Sequence, residues 1–287
     1  MKALVILGIM SSLLFLKYPT VSYGTDINPM LIAAAKSANL SKVERLLSQG
    51  ANVNTIDHLG KTALFWACNL GHGEIAKLLL DKGADVNIRD KNGMTALMEA
   101  ARVGREDLVR ILLENREAIR IELRTFSDVL YAARGQKMQL VGPLRAKFIE
   151  LDARDNKGNT ALMWAAISGR VNVAAMLLEK GANLNIRNRS GLTALDIAER
   201  NRHIEVAKTM NEFQQEQIET KKIMAAVGSG NLPLLRELTA KGVSLNVQDV
   251  KGVTPLIYSV SKNHMEIAKF LLSHGALIDA RDSEGNS

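Results

Sequence analysis

The distribution of apolar residues along the chain predicts pairs of short amphipathic helices. One block, written TALFWACNLGH from Thr62 and TALMWAAISGR from Thr160, places small and apolar side chains on one helical face. A second block follows, with Ile75, Leu78 and Leu79 at helical spacing. The first block recurs five times, beginning at Thr62, Thr95, Thr160, Thr193 and Thr254. We therefore predict an all-α chain built from repeated helix pairs.

Local signals indicate where each helix begins and ends. The recurrent Thr is suited to cap a helix N-terminus, and Pro255 fits the first turn, where a missing N–H costs nothing. Gly83 is suited to end the second helix in a left-handed conformation. The segment ADVNIRDKNG that follows predicts two short extended stretches joined by a polar turn, in which the recurrent Asp accepts local backbone N–H bonds. One such unit cannot bury its own apolar faces, so neighbouring units must stack.

The repeat period supports this arrangement and points to a family. Marker glycines stand at Gly60, Gly93, Gly158, Gly191, Gly252 and Gly285, and most of the steps between them are 33 residues or close to twice that. The recurring pattern, D-x-x-G-x-T-A/P-L, then A-A, then G-H-x-E, then L-L-L-x-x-G-A-x-V-N, resembles the ankyrin repeat. The resemblance covers roughly residues 25–287. It implies an ankyrin-repeat solenoid of stacked helix-turn-helix units with β-hairpin tips.

Departures from the pattern predict the domain organisation. Residues 25–210 are expected to hold a capping repeat and five further units, one of them degenerate at 123–154. Residues 211–222 lack the glycine and the hairpin, and they predict an irregular helical connection through which one helix can run continuously. Residues 223–287 predict a second short array, whose last repeat is incomplete.

The first 24 residues are typical of a secretory signal peptide. Met1 and Lys2 precede an apolar run that ends before the polar KYPTVSYG, and small residues allow cleavage after Ser22 or after Gly24. The alternative is a membrane anchor, but the run of 14 apolar residues from Ala3 to Leu16 is shorter than the ~20 that span a bilayer. We therefore expect an exported protein, periplasmic rather than extracellular.

The charge balance narrows the class of partner. The chain carries 37 basic and 30 acidic residues, a formal net charge of +7. The predicted signal peptide contains Lys2 and Lys17 and no acid, so 35 basic residues face 30 acidic ones in the remainder, a balance of +5. This charge is spread along the chain, whereas a nucleic-acid groove needs a dense basic face. We expect a protein partner, for which an acidic surface would be suitable, with no nucleic acid and no membrane span after residue 24.

Catalytic and metal-binding patterns are absent from the sequence. His72, His203 and His264 share one position in non-adjacent repeats, too far apart for the ~2 Å bonds of one zinc ion. Cys68 replaces a small buried Ala and is expected to be a core residue. We predict no cofactor, no metal and no enzymatic activity. An enzyme with a site in the irregular segment 114–150 is the less favoured alternative.

An aromatic stripe could either grip a ligand or fill the seam between helices. Trp66, Trp164 and Tyr258 share one position in the first helix, and Ile197 occupies the same position in another unit. Packing is the favoured interpretation. Glu99 stands at this position too, and its charged side chain does not fit the packing interpretation.

The resemblance implies that a partner docks on the hairpin tips and on the exposed ends of the first helices. Leu59, Met94 and Leu192 are apolar at loop positions, which hints at contact. Arg187 and Arg189 form the most basic tip. The predicted tip residues are His58, Leu59, Lys61, Lys91, Asn92, Met94, Asn156, Lys157, Asn159, Arg187, Arg189, Ser190 and Leu192, and the predicted helix-end residues are Asn69, Leu70, Arg102, Val103, Ile167 and Ser168. The expected function is non-enzymatic protein binding; a dedicated inhibitor or stabiliser of one envelope enzyme is the alternative.

Overall fold

The computed structural model describes residues 27–114, 149–249 and 252–281. These ranges contain thirteen helices and no strand. The helices form pairs, and their bounds are α1 (Ile27–Lys36), α2 (Leu40–Ser48), α3 (Ala63–Leu70), α4 (Gly73–Asp81), α5 (Ala96–Val103), α6 (106–114), α7 (Ala161–Ile167), α8 (Val171–Glu179), α9 (Ala194–Arg200), α10 (Ile204–Gly228), α11 (Leu232–Ala240), α12 (Pro255–Ser261) and α13 (Met265–Ser273). The predicted all-α solenoid is confirmed.

Thr side chains cap the first helices as predicted. Thr62 precedes α3, and its Oγ1 accepts a hydrogen bond from the Phe65 amide at 3.1 Å. Thr160 does the same for the amide of Met163 before α7, at 3.3 Å. Each cap satisfies one of the backbone donors left free in the first helical turn. The recurrent Thr is therefore explained by helix geometry alone.

The hairpin tips are tight hydrogen-bonded turns rather than paired strands. In the first tip, the Asp57 amide donates to the Lys61 carbonyl at 2.9 Å and the Gly60 amide donates to the Asp57 carbonyl at 2.9 Å. Over the described residues, one isolated antiparallel bridge is formed, between Ile56 and Thr62. The turn geometry is thus that of a hairpin, without strands on either side.

The first helices of successive units pack side by side in one row. Helix α1 contacts α3, α3 contacts α5, α5 contacts α7, and α7 contacts α9. Second helices form an outer row, in which α2 contacts α4 and α8 contacts α10. The apolar faces of both rows meet in one core that extends from Leu31 to Met210. Stacking is therefore what buries the apolar face of each pair.

The units on either side of residues 115–148 contact one another directly. Besides the contact of α5 with α7, the Asn156 amide donates to the Asn92 carbonyl at 2.9 Å, and Asn172 Nδ2 donates to Glu106 Oε1 at 2.9 Å. Residues 149–154 begin the unit that contains α7 and α8.

The predicted degenerate unit at 123–154 is described only at 149–154, the residues that lead into the tip before α7. The position beside α5 is occupied by α7. The rest of the predicted unit, 123–148, lies outside the described residues.

Helix α10 joins two separate cores. Its first part buries Val206 and Met210 in the first core, and its last part buries Ile223 and Val227 in a second core that extends to Leu271. Residues 211–219 between them contain no buried side chain. The predicted continuous helix through the interruption is thus present.

Candidate partner-binding surface

The carboxylate at the start of the first tip holds the turn together. Asp57 Oδ1 accepts the amides of Leu59 and Lys61 at 2.9 and 3.0 Å, and its Oδ2 accepts Trp66 Nε1 at 2.8 Å. Burial on its own raises the pKa of Asp57, but these hydrogen bonds and the nearby Lys36 ammonium outweigh burial and hold the pKa below its usual value. This carboxylate is occupied by its own turn and is not a free ligand.

Backbone hydrogen bonds fix the tips next to one another. The Lys91 amide donates to the Leu59 carbonyl at 3.0 Å, and the Arg189 amide donates to the Lys157 carbonyl at 3.0 Å. Together with the bond between the Asn156 amide and the Asn92 carbonyl, they join four consecutive tips into one edge. Side chains on this edge are therefore displayed on a preorganised backbone.

Most of the predicted partner-binding residues are accessible, and two are not. Met94 is only 6% exposed and Asn159 only 5%. Both side chains turn inwards: Met94 joins the core, and the Asn159 carbonyl oxygen Oδ1 accepts Asn188 Nδ2 at 2.9 Å. The expectation that these two contact a partner is corrected. The exposed residues are His58, Leu59, Leu70, Lys91, Asn92, Asn156, Lys157, Arg187, Arg189 and Ser190, and the half-buried ones are Lys61, Asn69, Arg102, Val103, Ile167, Ser168 and Leu192.

The aromatic stripe packs within the stack. Trp66 and Trp164 are half-buried against the core, and Trp164 Nε1 donates to Asp155 Oδ2 at 3.0 Å, as Trp66 does to Asp57. Tyr258 packs against the second core in the same way. The packing interpretation is confirmed for these rings, and the two Trp side chains also tie their first helices to the tips.

Two lysines lie over the Trp66 ring. The Lys36 ammonium is 3.9 Å from the ring centroid and 3.6 Å from Asp57 Oδ2, and the Lys61 ammonium is 4.7 Å from the centroid. Cations over an indole face are stabilised by the ring quadrupole. Lys36 was not singled out from the sequence, although it occupies the same position in its helix as Asn69 and Arg102 do in theirs.

Glu99 is a buried carboxylate beside these residues. Arg102 Nε and Nη2 donate to its two oxygens at 2.9 and 2.6 Å, and Asn69 Nδ2 also donates to Oε1. Burial raises the pKa of Glu99, but the hydrogen bonds and charge of Arg102 outweigh it, so the pKa lies below its usual value. Glu99, which replaces the aromatic residue of the stripe, thus forms a structural ion pair with Arg102. Its carboxylate holds both Arg102 and Asn69, two predicted site residues, in place.

Replacing Glu99 by Gln is expected to lower the free energy of unfolding by about 1–3 kcal/mol at pH 7, because charged hydrogen bonds are lost in a buried site. Since the folded pKa is depressed, the stabilisation is present above the unfolded pKa, and it is lost as pH falls through the folded one. Urea titrations of both proteins should therefore converge as the pH is lowered below the ordinary Glu pKa of 4.5. A difference that persists undiminished there would contradict the assigned ion pair.

Three arginines occupy the same position beside three successive tips. Arg89 Nη1 donates to the Arg154 carbonyl at 2.7 Å, and Arg154 Nη2 donates to the Arg187 carbonyl at 2.7 Å. Arg187 Nη1 donates to the Gly191 carbonyl of its own tip at 2.7 Å. Of the three, only Arg187 was predicted from the sequence to contact a partner. Arg89 and Arg154 stand at the same position of their repeats, and this could have identified them.

The remaining reactive side chains serve packing. Cys68 is fully buried, and burial raises the pKa of its thiol far above the usual value. His203 Nε2 lies 3.1 Å from the Ile167 carbonyl and His264 Nδ1 lies 2.7 Å from the Val227 carbonyl, each on the preceding unit. Within residues 27–114, 149–249 and 252–281, no group of His, Cys, Asp and Glu could hold a metal ion, and no helix is long and apolar enough to cross a bilayer.

Comparison with known sequences decides the family. Three successive matches to the model of ankyrin repeats cover residues 31–125, 129–222 and 223–287, most of the chain. The chain belongs to the ankyrin-repeat family. Proteins of this family are generally non-enzymatic and bind other proteins, so a protein-interaction scaffold is the function class that the repeats indicate. The third match begins at the residue where α10 enters the second core.

The chain is similar in sequence to proteins of several different kinds. The chain is 29% identical over 136 residues to the potassium channel AKT2/3 of Arabidopsis thaliana, which is 46% of this chain and 17% of the channel. It is 30% identical over 158 residues to the ankyrin repeat and KH domain-containing protein mask-1 of Caenorhabditis elegans, 53% of this chain and 6% of that protein. It is 24% identical over 259 residues to ankyrin repeat protein L371 of Acanthamoeba polyphaga mimivirus, 86% of this chain and 30% of that protein. The chain thus spans less than a third of the length of each.

Proposed function

We propose that this ankyrin-repeat protein is an exported, non-enzymatic scaffold that binds one protein partner through its tips and the adjoining ends of its first helices. The observation that carries the proposal is the joined edge of four tips. Its backbone is fixed by hydrogen bonds between units, while its exposed side chains, such as His58, Lys91 and Arg189, differ from one tip to the next. A rigid backbone with variable side chains lowers the entropy cost of binding and leaves specificity to the side chains.

The first helices add a second strip of contact. Leu70 is 39% exposed at the end of α3, and Arg102 and Asn69 are held in place by Glu99. Preorganised polar side chains beside an exposed apolar one are typical of an interface that combines orientation with burial. A partner that contacts the tips would meet these side chains next.

Export rests on the sequence of residues 1–24 alone. A basic start, a 14-residue apolar run and small residues at Ser22 and Gly24 support a cleaved signal peptide, and the proposed destination is the periplasm. Mass spectrometry of the protein purified from its native cells checks this: cleavage predicts an N-terminus at Tyr23 or Thr25. An intact Met1 would refute cleavage, and a protein confined to the cytoplasm would refute export.

The binding proposal is tested by affinity purification from envelope extracts, with the C-terminally tagged protein as bait. The matched bait carries Lys91→Glu, Lys157→Glu and Arg189→Glu on the tips. A control bait carries Lys82→Glu, Arg110→Glu and Lys208→Glu, three exposed cations in second helices or directly after one. We expect one partner to be retained by the wild type and the control and lost by the tip variant. Equal retention by all three baits would move the interface away from the tips.

A further inference from the structure

Exposed cations accumulate on three consecutive tips. We call this row the cationic edge: it consists of Lys91, Lys157 and Arg189 at the turns, with Arg89, Arg154 and Arg187 beside them, all of them exposed. No hydrogen bond or ion pair engages the Lys91, Lys157 or Arg189 side chain in the part of the chain that the structure describes. The row exists because the units on either side of residues 115–148 stack directly, which brings Lys91 and Lys157 onto adjacent tips.

The carboxylates near this row offset part of its charge but do not pair with the turn cations. Asp90 and Asp155 are each only 7% exposed, and one oxygen of each accepts two amides of its own turn. Glu150 is paired with Arg89 at 3.3 Å, and Asp196 lies 3.6 Å from Arg187. Among the described residues, the side chains of Lys91, Lys157 and Arg189 are therefore left without an ionic partner.

The side arginines fix the geometry of the row. Arg89 and Arg154 each donate to a carbonyl of the next tip, so the guanidinium groups brace one tip against the next. A guanidinium has five N–H donors, and only some of them are used by these bonds. The cationic edge thus combines a fixed tip backbone with cationic side chains whose donors are still free, the arrangement that favours charge-assisted hydrogen bonds to carboxylates.

The spacing of the array selects a conformation for the ligand. Packed helices lie about 8–10 Å apart, and we expect tips that are bonded to one another to follow about the same step. Within its turn, Lys157 stands one position later than Lys91 and Arg189 do in theirs. A polyproline II segment rises about 3.1 Å per residue with three residues per turn, so every third side chain lies on one face, roughly 9 Å from the last. Acidic residues at every third position would match three consecutive tips.

We propose that the cationic edge binds an acidic segment of a protein partner in an extended, polyproline II-like conformation, with a carboxylate at every third residue. This inference rests on the proposed scaffold function and names the chemistry of its partner. Carboxylates of the segment pair with Lys91, Lys157 and Arg189 in turn. A single-stranded nucleic acid fits less well, because the Trp66 and Trp164 rings are packed against the core and offer no stacking platform for bases.

Fluorescence anisotropy with synthetic peptides tests the proposal on the purified protein. The probe is a labelled (Glu-Pro-Pro)4 peptide, and its isomer places the same four glutamates together between proline blocks. A third probe is a dT12 oligonucleotide. Titrations at about 0.15 M salt limit long-range charge effects to roughly 8 Å. We expect the regularly spaced peptide to bind at least about tenfold more tightly than its isomer, since up to three exposed ion pairs differ between them.

Two triple variants decide where the peptide binds. Lys91→Glu, Lys157→Glu and Arg189→Glu should weaken binding at least about tenfold, whereas Lys82→Glu, Arg110→Glu and Lys208→Glu change the net charge equally and should weaken it less than about threefold. Unchanged circular dichroism verifies that both variants fold. Equal binding of the two peptides, equal losses in the two variants, or tighter binding of dT12 would each overturn the inference. If the peptides fail while affinity purification still retains a partner through the tips, the scaffold proposal stands and only the acidic ligand is refuted.

Discussion

Replacing Leu177 by Ala is expected to lower the free energy of unfolding by about 2–5 kcal/mol. Leu177 is fully buried in α8, which packs between α7 and α10. Truncation removes buried methyl groups and leaves a cavity that neighbouring helices cannot fill, since the backbones of the stack are held at fixed distances by their other contacts. Urea denaturation followed by circular dichroism measures the change.

A matched substitution separates burial from the loss of a Leu side chain as such. Leu272 in α13 is 45% exposed, so Leu272→Ala should cost less than about 1 kcal/mol. If the two variants lose equal stability, the placement of Leu177 at the centre of the stack is wrong.

Replacing Gly93 by Ala should lower the free energy of unfolding by about 2–5 kcal/mol, because strain and overpacking add. Gly93 has φ +78°, a conformation that costs a residue with a Cβ about 1–2 kcal/mol. An added Cβ would also lie 2.8 Å from the Asn156 backbone nitrogen and 2.7 Å from Asn156 Oδ1 on the next tip. Backbone cannot swing aside as a flexible side chain can, so the clash adds about 1–3 kcal/mol.

Gly181→Ala is the control for the strain alone. Gly181 has φ +88°, and a Cβ there would meet nothing within 4 Å. It should therefore lose only about 1–2 kcal/mol in the same urea titration. Equal losses for the two glycines would mean that the tips at Gly93 and Asn156 are not in contact.

Local features of the fold were predictable from the sequence. Thr caps, paired amphipathic helices and the continuous helix through 211–222 depend on residues close together in the chain, and the structure has all three. The burial of Cys68 was also predictable, because a small Ala stands at the same position in other units. Such predictions succeed because each repeat uses the same local interactions.

The order of the stack was not predictable, because spacing alone is ambiguous. The step of 65 residues from Gly93 to Gly158 is close to two periods, so it favours an intervening unit even though the flanking units pack together. The burial of Met94 and Asn159 depends on the neighbouring tips and the core, which a loop position in the sequence does not reveal.

The candidate surface was predictable in place but not in detail. The tips were identified from the repeat pattern, and Arg187 and Arg189 were noted as basic. The cationic edge, however, needs the bonds from Arg89 and Arg154 to the next tip, and the ion pair of Glu99 recruits Asn69 from 30 residues away. Contacts between repeats of different sequence set these features, and no single repeat contains them.

Direct stacking across residues 115–148 is the claim on which the cationic edge depends. Pulsed electron–electron resonance tests it with spin labels at one equivalent position on the second helix of four units: Ser41, Glu74, Asp107 and Asn172, all of them exposed. Cys68→Ala provides the background, since Ala101 and Ala166 fill that slot in other units.

Two label pairs suffice. Ser41 and Asp107 lie two units apart, and no irregular segment separates these units in the sequence. Their helices should therefore lie about 20 Å apart. If the units stack directly, Glu74 and Asn172 are also two steps apart, and we predict a distance distribution centred close to that of the first pair. A Glu74–Asn172 distance longer by about 10 Å would place another unit between them and contradict the account.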